Sequence, residues 1–251
     1  EKLMEPLSKT VKDVLAAGTD CLAAADIEQP RLICELLASR LLNCKRLELY
    51  LKYDNVLSDK LIDAMKRGVQ RVGEGEPVQY VTGQAEFMGH VFKVDKRVLI
   101  PRPETETLVT EVLECKPLWQ KGKPAIVDIG TGSGCIVISL ALARPDALYV
   151  GLDISEGAVE LATENAAALG AAAKVAFACN ELSDAVEPGT ISAIVSNPPY
   201  IPTAECEKLP VNIRNHEPRM ALDGGPDGLT VLDAVIQDAA IALKPGGFLF
   251  L

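Results

Sequence analysis

Residues 125–143 read as an apolar run of strand length, a turn holding Gly130, Gly132 and Gly134, and an apolar run of helix length. Glycines in such a turn permit a tight reversal and let a ligand approach the backbone amides at the helix N-terminus. A strand that enters a helix in this way needs a parallel neighbour, and the text that follows supplies several. ALYVGLD (147–153), KVAFAC (174–179), AIVSN (193–197) and GGFLFL (246–251) have strand character. TLVTEVLEC (107–115), GAVELATENAAAL (157–169) and LTVLDAVIQDAAIAL (229–243) have helix character. Alternation of this kind predicts an α/β fold whose mostly parallel sheet is covered on both faces.

The first 75 residues lack strand signals and read as a small helical bundle. Leu32, Ile33, Leu36 and Leu37 form one apolar stripe behind Pro30; Leu61, Ile62, Met65, Val69 and Val72 form another behind Ser58, a residue suited to an N-cap. Gly73-Glu74-Gly75-Glu76-Pro77 breaks the helical pattern, and residues 86–101 alternate by two around Met88-Gly89, as a hairpin does. The division expected is a helical domain over 1–75, a hairpin-bearing linker over 76–103 and the α/β domain over 104–251. The final residues, Phe248 to Leu251, stop within an apolar strand, and Glu1 stands where an initiator Met would be. A trimmed chain is the expectation at both ends, because an open apolar strand would expose a sheet edge.

Charge narrows the class of partner. The net charge is −10, and the first 75 residues hold 12 basic and 12 acidic side chains, so the whole excess lies on the later part. That field repels phosphate backbones, and no basic stripe offsets it, so tight binding to naked nucleic acid is not expected. No run approaches the roughly 20 apolar residues of a membrane span, and no signal-like apolar core opens the chain. The seven cysteines include no C-x-x-C pair and are accompanied by only two histidines, His90 and His216. They read as small buried thiols in a reducing compartment; neither a metal cage nor a disulfide framework is expected.

Two further features turn the glycine turn into a candidate site. Asp153 ends the second strand, where a carboxylate can accept hydrogen bonds from both hydroxyls of a ribose. The dinucleotide-binding pattern calls for glycine at Cys135, and Asp128 immediately before the turn would sit poorly beside a pyrophosphate. It suits a ligand carrying ammonium and sulfonium charges, so S-adenosylmethionine fits better than NAD. Asn197-Pro198-Pro199-Tyr200 then follows the AIVS strand and faces the same crevice. The prolines fix φ and remove N–H donors, leaving rigid carbonyl acceptors; Asn197 adds a carboxamide and Tyr200 a flat wall. An –NH2 on an sp² carbon would find its two acceptors in the Asn197 side-chain oxygen and the Pro198 carbonyl. No base is needed before attack if the nitrogen is held in line.

The combined text resembles the class I S-adenosylmethionine-dependent methyltransferases, and within them the HemK/PrmC-type family, which methylates a glutamine side-chain amide in peptide chain release factors. The resemblance is carried by Glu76-Pro77-Val78-Gln79-Tyr80, by Gly83, Phe87 and Gly89, and by Ile100-Pro101-Arg102-Pro103-Glu104-Thr105-Glu106. It continues through Asp128 to Gly134, through Ser196 to Tyr200, and through Asn215-His216-Glu217-Pro218-Arg219 and Asp223 to Gly228. It implies a Rossmann-like methyltransferase sheet, with Asp128, Gly130, Thr131, Gly132, Ser133, Gly134 and Asp153 around S-adenosylmethionine. Glu181 and Leu182 would stand beside the adenine, although the family commonly reads Ser-Asp where Asn180-Glu181 stands here. Asn197 would touch both cofactor and substrate, and Pro198, Pro199 and Tyr200 would line the glutamine pocket. The helical domain would dock the release factor, whose GGQ loop carries the acceptor glutamine, and a monomer is expected in the cytoplasm or in an organelle. NPPY alone is also shared by adenine amino-methyltransferases acting on DNA or RNA, which would need a basic groove. The IPRPETE segment separates this branch from the ribosomal-protein glutamine methyltransferases, and a non-catalytic nucleoside-binding adaptor would have no need of all three elements. Arg102 and Glu104 read equally as ion-pair partners between domains or as site residues, and His216 as a satisfied loop histidine or a catalytic helper.

Overall fold

The computed structural model describes residues 9–120, 122–180 and 186–251. The chain divides into two compact units, 1–83 and 84–251.

The first unit contains helices α1 (Val11–Ala24), α2 (Pro30–Leu41), α3 (Asp59–Gly73) and the short α4 (Val78–Thr82), with a 3₁₀ segment at Arg46–Lys52. Thr10 and Asp13 form a reciprocal capping box on α1, and Ser58 caps α3 through the Leu61 amide. Val11, Leu15, Leu22, Cys34, Leu37, Leu49, Ile62, Met65, Val69 and Val72 make its core. The α3 stripe packs as its periodicity predicts, apart from the half-buried Leu61. The α2 stripe does not: Leu32, Ile33 and Leu36 are only half-buried, while Cys34, Glu35, Leu37 and Ala38 face inward. The rotation follows from Glu35, whose carboxylate is buried between Arg31 at 2.8 Å and Arg46 at 3.1 Å. A buried carboxylate needs such partners, and none of them can be read from apolar spacing.

The second unit opens with the hairpin β1 (Gln84–Phe87) and β2 (His90–Lys93), turned by Met88 and Gly89, both at positive φ. Met88 is an uncommon residue for that conformation. Its amide is held by the Glu106 carboxylate at 2.7 Å, from helix α5 (Pro103–Glu114), and its side chain packs on the core. After the short α6 (Lys116–Trp119) come β3 (Ala125–Ile129), α7 (Cys135–Ala143), β4 (Leu148–Asp153), α8 (Glu156–Ala168), β5 (Val175–Cys179) and β6 (Ile191–Ser196). Two short helices, α9 (Thr203–Cys206) and α10 (Val211–Arg214), precede α11 (Thr230–Ala242) and β7 (Leu243–Phe250). The sheet is parallel throughout, in the order β5-β4-β3-β6-β7. Neighbouring strand residues serve opposite faces. Ile126, Ala193 and Val195 join α7 in one core, while Val127, Ile194 and Leu152 join Ala239 and Ala242 of α11 in the other.

Among the described residues no helix is long and apolar enough to cross a membrane. All seven cysteines are free, but only Cys34, Cys135 and Cys206 are buried; Cys21 and Cys179 are exposed, contrary to the expectation of buried thiols. Cys21 lies on the outward side of α1, and Cys179 closes the outermost strand β5, so neither has a layer to cover it.

Candidate active site

Strand register decides where the site lies. Ile129 of β3 pairs with Leu152 of β4 on one side and with Ser196 of β6 on the other. The residues that follow, Gly130, Asp153 and Asn197, therefore leave the sheet side by side at its carboxyl edge. The chain order also reverses here, since β4 lies on one flank of β3 and β6 on the other. Crevices of open α/β sheets form at such a switch point. Ser196 ties the edge together by donating its hydroxyl to the Ile129 carbonyl at 2.8 Å.

A cavity of about 440 Å³ opens there, within the size range of small-molecule sites. Gly130, Thr131, Gly132, Ser133, Asp153, Asn197 and Pro199 are all in its wall. Gly130, at φ 70°, faces open space, and a Cβ on Gly132, at φ 54°, would touch only the Gly130 carbonyl oxygen at 4.0 Å, so a side chain at either would be strained and would intrude where a ligand approaches. Gly134 is glycine for another reason: a Cβ would meet Ile138 at 2.8 Å and Ala162 at 3.2 Å, pushing α7 from α8. It packs beneath the turn rather than in the cavity wall. Asp153 is held by two amides, accepting from Gly132 N–H and Ser155 N–H at 2.9 Å each. Each carboxylate oxygen keeps a further lone pair for a ligand donor.

Asp128 is wholly buried below the turn, outside the cavity wall. One oxygen accepts from the Thr131 hydroxyl at 2.7 Å and the other, Oδ1, has no partner. Burial pushes its carboxyl up to about 7, against the stabilising Thr131 hydrogen bond, with the nearby Asp153 charge adding to the rise. Asn197 donates its side-chain N–H to the Thr105 hydroxyl at 3.3 Å, which leaves Oδ1 available as an acceptor. Pro198 is buried, and Tyr200 is 67% exposed; neither is in the cavity wall, so the structure brings Asn197 and Pro199, but not the whole tetrapeptide, to the cavity. Glu181 and Leu182 lie outside the described residues. No group of His, Cys, Asp and Glu among the described residues is placed to hold a metal.

Several residues that support the site escaped sequence reasoning. Asn165 of α8, buried, donates to the Ser133 carbonyl at 2.8 Å and to the Lys93 carbonyl at 3.0 Å, and accepts from Lys93 N–H at 2.7 Å. It thus joins the glycine turn to the hairpin edge. Its only local signal is an amide among the alanines of an apolar helix face. Thr105 and Asp238 also line the cavity. Arg102 pairs with the buried Glu217, which also accepts from Ile100 N–H at 3.2 Å. This ion pair lies within the second unit, joining the IPRPE segment to the segment before Pro218. Glu104 is exposed, and His216 has a buried Nδ1 without a partner.

Replacing Arg102 with methionine leaves the Glu217 carboxylate buried with one amide. We expect a loss of about 2 kcal/mol of stability, below the full buried-pair cost because a third of the arginine is exposed. The single tryptophan, Trp119, lies in this unit and reports its urea unfolding; an unchanged midpoint would contradict the assignment.

Comparison with known proteins places this geometry in context. Residues 13–83 match the PrmC N-terminal domain, and residues 105–212 match the Methyltransferase small domain. The chain is 39% identical over 248 residues to the Release factor glutamine methyltransferase of Chlorobaculum tepidum, covering 96% of this chain and 84% of that relative. The protein of the same name from Geobacter sulfurreducens is 41% identical over 240 residues, with 96% and 82% covered. That of Moorella thermoacetica is 40% identical over 242 residues, with 96% and 84% covered. Likeness of this extent, spanning both the helical unit and the sheet that carries the cavity, makes the chain a member of the release factor glutamine methyltransferase family.

Proposed function

We propose that the protein transfers a methyl group from S-adenosylmethionine to the side-chain amide nitrogen of the glutamine in the GGQ motif of a peptide chain release factor. The observation that carries the reading is the presence of Asn197 and Pro199 in the wall of the same cavity as Gly130 to Ser133 and Asp153. When bound, S-adenosylmethionine supplies an electrophilic methyl group carried on a sulfonium. Asp153 offers its spare lone pairs to ribose hydroxyls, and the open space over Gly130 admits the donor. Asn197 Oδ1, in the cavity wall, accepts one amide hydrogen, and the Pro198 carbonyl, whose residue is buried behind the wall, is the proposed acceptor of the other. An amide nitrogen is a weak nucleophile, so alignment carries the rate; well-aligned groups can contribute roughly 7–11 kcal/mol. Both oxygens also face the positive charge that grows on nitrogen, and so favour the transition state over the ground state. The proton then leaves to water. Tyr200, exposed, is available to a macromolecular acceptor.

The test is an incubation with labelled donor and three acceptors: a whole release factor, a short glutamine peptide from it, and duplex DNA. Label on the whole factor at lower concentration than on the peptide is expected, because the helical unit supplies docking. Label on DNA instead would overturn the reading.

Asp128 provides a second check. With its carboxyl at about 7, a fraction is protonated at neutral pH. A cationic ligand over the turn favours the carboxylate, so cofactor binding near pH 7 should release protons. Calorimetric heats should then differ between phosphate and Tris buffers, and the difference should vanish in Asp128→Asn. Equal heats for the unaltered protein would contradict it.

A further inference from the structure

The run Asp223-Gly224-Gly225-Pro226-Asp227-Gly228 has no step in the chemistry above, although Asp223 is in the cavity wall, and it is laid backbone to backbone against the segment leaving Tyr200. Ile201 N–H donates to the Leu222 carbonyl at 3.1 Å, Gly224 N–H to the Ile201 carbonyl at 2.9 Å, and Thr203 N–H to the Gly225 carbonyl at 2.9 Å. Ile201 and Asp223 form an isolated parallel bridge. Asp223 holds the loop's shape: its Oδ1 accepts from the Thr203 hydroxyl at 2.6 Å and from Gly225 N–H at 3.1 Å, and its Oδ2 from Arg219 Nε at 3.3 Å.

The contact is too close for any side chain. A Cβ on Gly224 would stand 2.8 Å from the Pro199 carbonyl oxygen, 2.8 Å from Tyr200 Cα and 2.6 Å from the Gly228 carbonyl oxygen. A Cβ on Gly228 would stand 2.4 Å from the Tyr200 carbonyl oxygen. All of these are backbone atoms, which cannot rotate aside. We infer that Asp223 to Gly228 is a backbone clamp that positions the Asn197–Tyr200 element, with Gly224 and Gly228 as positioning residues for methyl transfer. The inference rests on the function proposed above. Its physical core lies in the prolines. The rings of Pro198 and Pro199 fix φ at both positions, so only the ψ torsions remain to absorb a shift forced on the Pro199 carbonyl, and part of it is passed back to Asn197. The clamp therefore sets the acceptors of the reacting amine through a stiff lever.

Gly224→Ala tests it, because Gly224 is not among the positive-φ glycines and alanine adds only a methyl group there. The expected result is a fall in kcat of about 10²-fold, the size of effect a displacement near 1 Å can have. The Kd for S-adenosylhomocysteine and the KM for the glutamine acceptor should each change less than about threefold. An unchanged kcat overturns the clamp, as does a loss of cofactor affinity equal to the loss in kcat. Thr203→Val is the second variant; it removes a donor to Asp223 without adding bulk. It should lower kcat about fivefold at unchanged Kd, the loss of one modest hydrogen bond, and decides the matter if the alanine variant fails to fold; an unchanged kcat here also overturns the clamp. The unaltered protein separates the two claims. If it methylates adenine and not glutamine, the proposed function fails while the clamp is read on the adenine reaction. If it methylates no acceptor, both fall.

Discussion

Asn197→Ala should lower kcat about 10³-fold while cofactor affinity falls by no more than about tenfold. The asymmetry follows from geometry. Asn197 leaves β6 beside Gly130 and Asp153, and Thr105 holds its amide group so that Oδ1 remains to accept. That oxygen is proposed to hold the reacting nitrogen, and its interaction strengthens as charge develops there. Truncation removes stabilisation of the transition state and leaves most of the cofactor's contacts in place. Steady-state kinetics with a glutamine peptide, combined with calorimetry using S-adenosylhomocysteine, measure both quantities. Equal losses in the two would show that Asn197 serves only to bind the cofactor.

The opposite pattern is expected at Asp153. Asp153→Ala should weaken cofactor binding about 10³-fold, because it removes a charged acceptor proposed to take two ribose hydroxyls. It also releases Gly132 N–H and Ser155 N–H, both now held at 2.9 Å, so the turn loses one of its anchors to β4 and keeps the bond from Thr131 N–H to the Leu152 carbonyl. High cofactor concentration should restore much of the turnover, since the acceptor side of the cavity is untouched. Asp153→Asn retains the shape and one acceptor, and should fall between the two. An unaltered dissociation constant in Asp153→Ala would remove this residue from the ribose site.

What could be read from the sequence was local. A glycine turn between a strand and a helix, an acid at the next strand end and a proline pair after the fourth strand each declare their backbone geometry within a few residues. The parallel sheet and the convergence of Gly130, Asp153 and Asn197 follow from that geometry once the strands pair in register. Contacts across long sequence separations left no such trace. Asn165 reaches Lys93 and Ser133, and Glu217 reaches Ile100 and Arg102, through tertiary packing alone. The same limit misplaced the α2 stripe, where one buried ion cluster outweighed apolar spacing. Asp128 shows a subtler limit. Its position before the turn was legible, but its burial, its unpartnered oxygen and its raised carboxyl depend on the layers packed around it.

The central claim is that the cavity at the carboxyl edge of this sheet delivers a methyl group to a planar amide nitrogen held by Asn197. Fragmentation mass spectrometry of a release factor, after incubation with the protein and S-adenosylmethionine, tests it most directly. The account predicts a single added methyl on the side-chain nitrogen of the GGQ glutamine, absent when Asn197→Ala replaces the unaltered protein. A methyl group on any other atom, or an equal yield from Asn197→Ala, would contradict it.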